Sequence, residues 1–244
     1  MNVNAYNLNQ GQKEAADAFF EFLFDREAKG FIISGPAGVG KTYWMGYIID
    51  IIMPRYLETC KLIGVDPDYD SVTMTATTNK AAEVLEFATG RTTQTIHSFL
   101  NLTLYEDYES GKTKLNKNLR TWTVHEQKII FIDECSMIDS QLFNIIGEGT
   151  HQCKIVYVGD RNQLAPVTEK LSPVYLQGYQ MFELTEQMRT SIPELQVTNQ
   201  QLRDTVETGI FNPIHEVPGI IEYLDDVNMQ KMLDITFANQ TKES

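Results

Sequence analysis

Residues 31–42 read FIISGPAGVGKT, in which four mostly apolar residues of strand-like composition lead into a glycine-rich loop. The loop, residues 35–42, fits the pattern GxxxxGK followed by Ser or Thr, which binds phosphate when it joins a strand to a helix. Residues 43–53 read as that helix, and Pro54 predicts its end. The stretch therefore predicts an α/β protein built around a phosphate-binding loop.

This phosphate-binding loop assigns a predicted role to each of its residues. Glycines let the backbone curl so that its N–H groups face the phosphates, while Lys41 is expected to reach the β- and γ-phosphates and Thr42 to bind Mg²⁺. The alternative is a glycine turn with a structural role only. The predicted nucleotide-binding residues are Gly35, Pro36, Ala37, Gly38, Val39, Gly40, Lys41 and Thr42.

Strands and helices alternate along the chain. Residues 71–76, 128–132 and 154–158 read as strands, and residues 8–24, 79–88 and 140–146 read as helices. Such alternation predicts a mainly parallel sheet with helices on both faces. Residues 100–122 alternate weakly around a polar turn, which predicts a β-hairpin inserted between two strands of the sheet.

Two carboxylates, Asp133 and Glu134, follow the apolar strand of residues 129–132. Asp133 is expected to hold Mg²⁺ through water, and Glu134 to orient or deprotonate an attacking water. An Asp-Glu pair after a strand is weak evidence alone. Together with the loop it favours a nucleoside triphosphate hydrolase over a small-molecule kinase, which would not need the second carboxylate.

The stretch VGDRNQLAPV, residues 158–167, turns abruptly polar where a buried strand ends. Ligands of parallel sheets lie beyond the carboxyl ends of the strands, so these residues are expected to point toward the nucleotide. Gln163 is the candidate for contact with the γ-phosphate or the attacking water. In the alternative, Asp160 and Asn162 merely form a turn.

Composition limits the classes of function. The net charge of −13 argues against a protein that coats nucleic acid non-specifically, although a local DNA track remains compatible with it. Cys60, Cys135 and Cys153 are spaced too widely for a CxxC metal site and are expected to be reduced thiols in or near the core. Neither a membrane span nor an export signal is seen, which makes the cytoplasm the expected compartment.

Six motifs in sequence resemble those of superfamily 1 DNA helicases, and their spacing is most similar to the RecD/Dda group. They are GPAGVGKT, TATTNKAA, TIHSFL, IDECSMID, VGDRNQLAPV and LTEQMR, beginning at residues 35, 75, 95, 132, 158 and 184. The resemblance implies a RecA-like domain that uses ATP and Mg²⁺ to move on single-stranded DNA and unwind forked DNA, in the 5′-to-3′ direction. Replication or recombination proteins are the implied partners.

The resemblance also implies two further contacts with the nucleotide. Gln12 matches the family's Q motif and would pair with the N6 and N7 edge of adenine. Its alternative is an exposed glutamine in the first helical turn. Arg189 matches an arginine that touches the γ-phosphate during phosphoryl transfer, and its alternative is a surface arginine near a helix start.

A single-strand track and a wedge follow from the same resemblance. The implied DNA-binding residues are Thr77, Thr78, Asn79, Lys80, Thr95, His97 and Ser98. For His97, the alternative is a histidine packed at the sheet edge. Residues 100–122 occupy the place of a hairpin that separates strands at the fork, where Tyr105, Tyr108 and Trp122 either stack on bases or fill the hairpin's own core.

The resemblance predicts a RecA-like domain over residues 1–232, with its insertion at 100–122. Residues 235–244 resemble only the opening strand of a second RecA-like domain, for which residues 233–244 are the expected beginning. The chain is then an expressed fragment, a truncated product or half of a split enzyme, and its activity alone is expected to be low. The alternatives are a nucleotide- and DNA-binding regulatory module without turnover, and a P-loop ATPase that does not act on DNA.

Overall fold

A computed structural model describes residues 6–107, 112–117, 120–167, 169–188 and 192–240. The chain divides into two compact units, Met1–Arg189 and Thr190–Ser244. Arg189 and Tyr108, both assigned roles above, lie outside the described residues, as does the turn of the inserted hairpin. Among the helices of the described part, none combines the length and apolar character needed to cross a membrane.

The first unit is built on six parallel strands, as the alternation of elements predicts. The strands are β1 (Gly30–Ser34), β2 (Ser71–Ala76), β3 (Thr93–Thr95), β7 (Lys128–Asp133), β9 (Lys154–Gly159) and β10 (Gln180–Glu183). Their order is β10-β1-β9-β7-β2-β3, and β1 lies between β9 and β10 with Ile33 opposite both Val158 and Phe182. All six therefore present their carboxyl ends at one edge.

Helices cover both faces of the sheet. The helices of this unit are α1 (Gln10–Phe24), α2 (Lys41–Tyr47), α3 (Met53–Ile63), α4 (Asn79–Thr89), α5 (Ile96–Phe99) and α6 (Ser140–Glu148). Successive strand residues alternate between the two cores: Phe31 and Ile33 pack with α1, α2 and α3, whereas Ile32 packs with α5 and α6. The strands read as continuous apolar runs because both of their faces are buried.

The predicted helix end at Pro54 is wrong. Between α2 and α3 the segment Ile48–Ile52 is π-helical, and the Met53 N–H donates to the Ile48 carbonyl five residues back. Pro54 lies in the first turn of α3, where its missing N–H matters least. The chain therefore stays helical until Gly64, which ends α3 with a φ of 73°.

The inserted hairpin is present as predicted. Strands β4 (Leu102–Asp107) and β5 (Lys112–Lys117) pair antiparallel, with Leu104 opposite Leu115. A short parallel pair, β6 (His125–Glu126) and β8 (Thr150–His151), lies outside the main sheet. Sequence patterns missed β6 and β8, and also β3 and β10, because each has four residues or fewer and too little alternation to detect.

The second unit contains two helices, α7 (Pro193–Thr208) and α8 (Asp226–Gln240). The prediction of a strand at 235–244 is wrong for residues 235–240, which lie within α8. The Asp225 carboxylate accepts a hydrogen bond of 2.8 Å from the Asn228 N–H, so the segment has a side-chain cap that starts a helix. Residues 241–244 lie outside the described part, and the domain bounds at residues 232 and 233 stay a prediction.

Candidate nucleotide-binding site

The glycine-rich loop connects β1 to α2 and adopts conformations that require glycine. Gly35, Gly38 and Gly40 have φ values of 155°, 89° and 81°. A Cβ atom on Gly35 would lie 2.3 Å from the Leu184 carbonyl oxygen, so that close approach admits only hydrogen. The loop is also fixed from its sides, since the Gly38 carbonyl accepts a 2.8 Å bond from the Met188 N–H.

The side chain of Lys41 contacts the backbone at the start of this loop. Its ammonium donates to the carbonyl oxygens of Gly35 at 2.7 Å and Pro36 at 3.0 Å. Burial lowers the pKa of Lys41, and the carboxylates of Asp133 and Asp160 oppose that shift. Two carbonyls thus hold a poorly solvated cation that phosphate oxygens would neutralise better.

Asp133 is the last residue of β7, Glu134 follows it, and both carboxylates act on the pKa of Lys41. Burial raises the pKa of Asp133 to about 6, the negative charge of Glu134 adds to the shift, and a hydrogen bond from the Glu134 N–H and the charge of Lys41 oppose it. A buried carboxylate next to a second carboxylate is one that a divalent cation would stabilise. Thr42, the second residue of α2, carries the other oxygen donor predicted for Mg²⁺.

Glu134 has the left-handed conformation, with φ 56° and ψ 41°. For a residue with a side chain this costs about 1–2 kcal/mol. The N–H of Glu134 donates to Asp133 Oδ1 at 3.0 Å, and its carbonyl accepts from the Met137 N–H at 3.1 Å. Strained residues of this kind concentrate at functional sites, which agrees with the predicted role of Glu134.

Among the polar residues after β9, Asp160 and Asn162 form a turn, and Gln163 lines the candidate site. Asp160 is buried, and its backbone oxygen and carboxylate accept from the N–H groups of Gln163 at 3.1 Å and Asn162 at 3.0 Å. Asp160 and Asn162 thus form the turn that the alternative describes, and Asp160 also acts on the pKa of Lys41. The same turn leaves Gln163 exposed, where it lines a cavity of about 420 Å³ together with Asp133 and Glu134.

Gln12 is fully buried and does not fit its alternative as an exposed glutamine. Its amide nitrogen lies 3.2 Å from the Val39 carbonyl oxygen and 3.4 Å from that of Gly40, while its amide oxygen accepts from the Asn9 N–H at 3.1 Å. Asn9 caps α1, since its side chain accepts from the Gln12 N–H. The Gln12 amide is thus engaged within the protein, and a contact with adenine would require its bonds to the loop to open.

The residues predicted to contact DNA gather at the carboxyl ends of β2 and β3, where Ala76 pairs with Thr95. The hydroxyls of Thr78 and Thr95 cap α4 and α5 and accept bonds of 3.2 Å and 3.1 Å from N–H groups of the same helices. Exposed residues at these two helix starts are Asn79, Lys80 and Ser98. His97 is half-buried, and burial lowers its pKa. Thr77 is buried, so it differs from the other members of the set.

The root of the hairpin packs against the sheet. Trp122 packs on the core that contains α6, and a Cβ atom on Gly149 would lie 3.0 Å from its ring. Lys117 forms an ion pair with Glu148 and lies 5.0 Å from the Trp122 ring centroid. Trp122 thus packs on the core of the main sheet and not in a core of the hairpin alone, whereas Tyr105 is 46% exposed on β4.

Three features of the site carry no signal that sequence reasoning could have used. They are the bond from Thr77 to Glu134, the contact of Met188 with the loop and the engagement of Gln12, all between residues distant in sequence. A cavity of about 580 Å³ lies near the amino ends of β1 and β9, with Tyr157 and Tyr179 among its lining residues. It lies away from the loop, so volume alone does not locate the chemistry.

Comparison with known proteins identifies relatives. A match to the AAA domain family covers residues 7–214. The ATP-dependent DNA helicase dda of Enterobacteria phage T4 is 28% identical over 223 residues, which are 87% of this chain and 45% of that protein. An uncharacterized protein of Acanthamoeba polyphaga mimivirus is 28% identical over 229 residues, covering 84% of this chain and 44% of its own. The chain spans about half the length of the curated relatives it matches.

Solved structures agree on the fold. The Pif1 helicase from Candida albicans superposes with a TM-score of 0.54 and 20% identity, over 98% of this chain and 55% of that one. A Pif1 helicase from Bacteroides gives a TM-score of 0.50 with 19% identity, over 82% of this chain and 47% of that one. By its family match the chain belongs to the AAA domain family, and it is similar to Dda- and Pif1-like superfamily 1 helicases.

Proposed function

We propose that this chain is a motor domain that binds and hydrolyses Mg-ATP to drive movement on single-stranded DNA and duplex unwinding. The observation that carries the proposal is the meeting of two sets of residues in one cavity. Asp133, Glu134 and Gln163 line it together with Thr78 and Lys80 of the predicted DNA contact. Hydrolytic and DNA-contacting groups that share a cavity can influence each other directly.

The chemistry of the proposed site rests on residues at the sheet edge. Thr42 and Asp133 would hold Mg²⁺, which supplies positive charge to the β- and γ-phosphates. Lys41 would leave its carbonyl partners and neutralise the phosphates, and Glu134 would orient the attacking water and accept its proton. Gln163 would hold that water in line. Arg189 is proposed to stabilise developing charge on the γ-phosphate.

DNA binding is proposed at the starts of α4 and α5, in keeping with the DNA helicase activity named for the phage relative. Backbone N–H groups and short polar side chains can hold phosphates without many cations, which suits a net charge of −13. The proposed direction, 5′ to 3′, rests on the motif resemblance. The hairpin is proposed as the fork wedge, for which its packed root provides a rigid base.

A second RecA-like domain, in cis or in trans, is proposed as a partner for efficient turnover. Such a domain would close over the nucleotide, exclude water and supply a further arginine, and an arginine of this kind is worth about 10³–10⁵ in rate. The isolated chain is therefore expected to bind ATP and hydrolyse it slowly. Replication or recombination proteins are the proposed wider partners.

The test is ATP hydrolysis by the chain under single-turnover conditions, with and without an unstructured DNA oligonucleotide. Hydrolysis that depends on Mg²⁺ and rises with DNA supports the motor assignment. Nucleotide and DNA binding without hydrolysis would indicate a regulatory module, and hydrolysis that ignores DNA would indicate an ATPase with another substrate. Either outcome would overturn the proposed function.

A further inference from the structure

Thr77 lies between the predicted DNA contact and the hydrolytic carboxylates. It follows β2 directly, and only 8% of its surface is exposed. Its hydroxyl donates to the Glu134 carbonyl oxygen at 3.2 Å, and its N–H donates to the Asp133 carbonyl oxygen, also at 3.2 Å. The residue is therefore bonded to the backbone of both members of the Asp-Glu pair.

The Thr77 hydroxyl donates to Glu134, whose backbone has the unfavourable left-handed conformation. Glu134 is held by its own neighbours in sequence through Asp133 Oδ1 and the Met137 N–H. The Thr77 hydroxyl is different because it comes from another strand, 57 residues away in sequence. A left-handed residue persists only where its surroundings over-determine it, so this bond helps to set the direction of the Glu134 side chain.

On its other side, Thr77 adjoins the start of α4. Thr78, the next residue, caps that helix through the Ala81 N–H, and Asn79 and Lys80 are exposed beyond it. A displacement of the α4 start by bound phosphate would move Thr77 through the chain itself. Movement of Thr77 would in turn move the Glu134 carbonyl that its hydroxyl contacts.

We propose that Thr77 is a positioning residue that couples DNA contact at α4 to the orientation of Glu134, and that it is not itself a DNA ligand. The proposal rests on the proposed function, because it explains how DNA would stimulate hydrolysis at this site. It differs from the role implied by the motif resemblance, in which Thr77 touches DNA. The Thr77 hydroxyl is buried and already donates its hydrogen to the Glu134 carbonyl, so it has no hydrogen left to donate to a DNA phosphate.

Thr75 provides a matched control. Its hydroxyl is also buried and also donates to a carbonyl of β7, at 2.7 Å from the Phe131 oxygen. That acceptor lies inside the strand and carries no predicted chemistry. Replacing either threonine by valine keeps the shape and removes one hydroxyl, so the pair separates a general strand contact from a specific effect on Glu134.

The experiment compares Thr77→Val, Thr77→Ser and Thr75→Val in the full chain. Single-turnover hydrolysis, with the protein in excess over Mg-ATP and at a saturating concentration, is measured with and without oligonucleotide, alongside the Kd for nucleotide and for oligonucleotide. We expect Thr77→Val to lower the DNA-stimulated rate about 10- to 100-fold, the scale of a small misplacement of a reacting group. Both Kd values should stay within about twofold, and Thr77→Ser and Thr75→Val should behave as wild type.

Two outcomes would overturn the coupling role. In the first, Thr77→Val weakens oligonucleotide binding and leaves the rate at saturating oligonucleotide unchanged, which is the behaviour of a DNA ligand. In the second, Thr75→Val lowers the rate as much as Thr77→Val, which makes the effect a general loss of strand packing.

A separate measurement distinguishes failure of this proposal from failure of the proposed function. If wild type and Glu134→Gln show equally little hydrolysis, the motor assignment fails. Hydrogen exchange of the peptide covering residues 133–137 then still tests the Thr77 contact. Faster exchange in Thr77→Val, restored in Thr77→Ser, supports the positioning role, and exchange unchanged from wild type overturns it.

Discussion

Two lysines, the half-buried Lys41 and the buried Lys154, lie at opposite edges of the same sheet. Lys41 begins α2 at the carboxyl edge, and Lys154 begins β9 at the amino edge. Each ammonium donates to two backbone carbonyls, Gly35 and Pro36 for Lys41, Asp25 and Ala28 for Lys154. Burial lowers the pKa of both, to about 8 for Lys154. In their hydrogen bonds and in the direction of the pKa shift the two residues are alike.

Their neighbours distinguish them. Lys154 lies 4.2 Å from the ring centroid of Phe22 and 5.6 Å from that of Tyr69, and its carbonyl partners belong to the chain just after α1. Both lysines have carboxylates nearby, Asp25 and Asp68 for Lys154 and Asp133, Asp160 and Glu134 for Lys41. Lys41 differs because it bonds to the backbone of the glycine-rich loop. A lowered pKa therefore does not identify a ligand-binding lysine by itself. The groups that surround the cation, and their freedom to exchange it for a phosphate, make the distinction.

The largest expected effect comes from comparing two glutamates, Glu134 at the carboxyl edge of the sheet and Glu126 near its amino edge. Glu134→Gln should lower single-turnover hydrolysis about 10²–10⁴-fold and leave Mg-ATP binding intact, because it removes a positioned base but keeps the shape. Glu126→Gln, on the exposed strand β6 near the amino edge, is the control and should leave both unchanged. Near-normal hydrolysis in Glu134→Gln would show that Glu134 is not the base.

The lysines themselves give the next largest effect. Lys41→Ala should weaken the affinity for ATP about 10- to 100-fold, since a charge-assisted bond to phosphate is worth about 1.5–3 kcal/mol. Lys154→Met should leave that affinity unchanged and lower the free energy of unfolding by about 1–3 kcal/mol, because two buried carbonyls lose their donor. Nucleotide titration and denaturant unfolding of both variants measure the two properties. A loss of ATP affinity in Lys154→Met would contradict the claim that only Lys41 contributes to nucleotide binding.

The pH dependence of stability tests the environment of Lys154. Its pKa of about 8 in the folded chain lies below the value of 10.5 for the free side chain. Between these values the unfolded chain binds a proton that the folded chain does not, so this lysine makes the free energy of unfolding rise with pH. The slope should approach about 1 kcal/mol per pH unit. Below pH 8 both states are protonated and the dependence vanishes.

Lys154→Met isolates this contribution. Burial raises the pKa of Tyr56 to about 12, which acts in the opposite direction above pH 10, but that tyrosine is present in both proteins. The difference in unfolding free energy between wild type and variant should therefore change in favour of wild type from pH 8 to about pH 10. A difference that is constant over this range would mean that the folded-state pKa is not lowered.

The contrast between the two lysines also shows how much of the fold and of the candidate site can be predicted from the sequence. The loop that contains Lys41 has a fixed pattern of glycines and was found from the sequence alone, as was the parallel sheet from its apolar runs. Lys154 is a lysine at the start of an apolar run, with nothing in the pattern to separate it from a solvated one. Its partners are more than 120 residues away in sequence, and only the fold brings them together.

Other failures of sequence reasoning have the same origin. Pro54 predicts a helix end from local chemistry, yet the wider π-helical turn before it lets the helix continue while Ile52 and Met53 stay in the core. The bonds of Gln12 to the Val39 and Gly40 carbonyls likewise could not be predicted from the sequence, and its expected contact with adenine stays a prediction. Local patterns located the elements and the carboxylates, whereas the bonds between distant residues needed the structure.

Gln12 offers the smallest effect and the finest test of the contrast, because it too donates to two loop carbonyls, those of Val39 and Gly40. If the amide supports the loop, Gln12→Ala should weaken ATP and GTP by the same factor, about 5- to 10-fold, since each lost bond is worth about 0.5–1.5 kcal/mol. If the amide turns to pair with adenine, only ATP should weaken, because guanine has an acceptor, O6, where adenine has the N6 donor. Gln10→Ala, which removes an exposed amide bonded to Glu14, is the control for helix α1. Titrating both variants with fluorescent ATP and GTP decides between the two roles, and the engagement of the amide leads us to expect equal weakening.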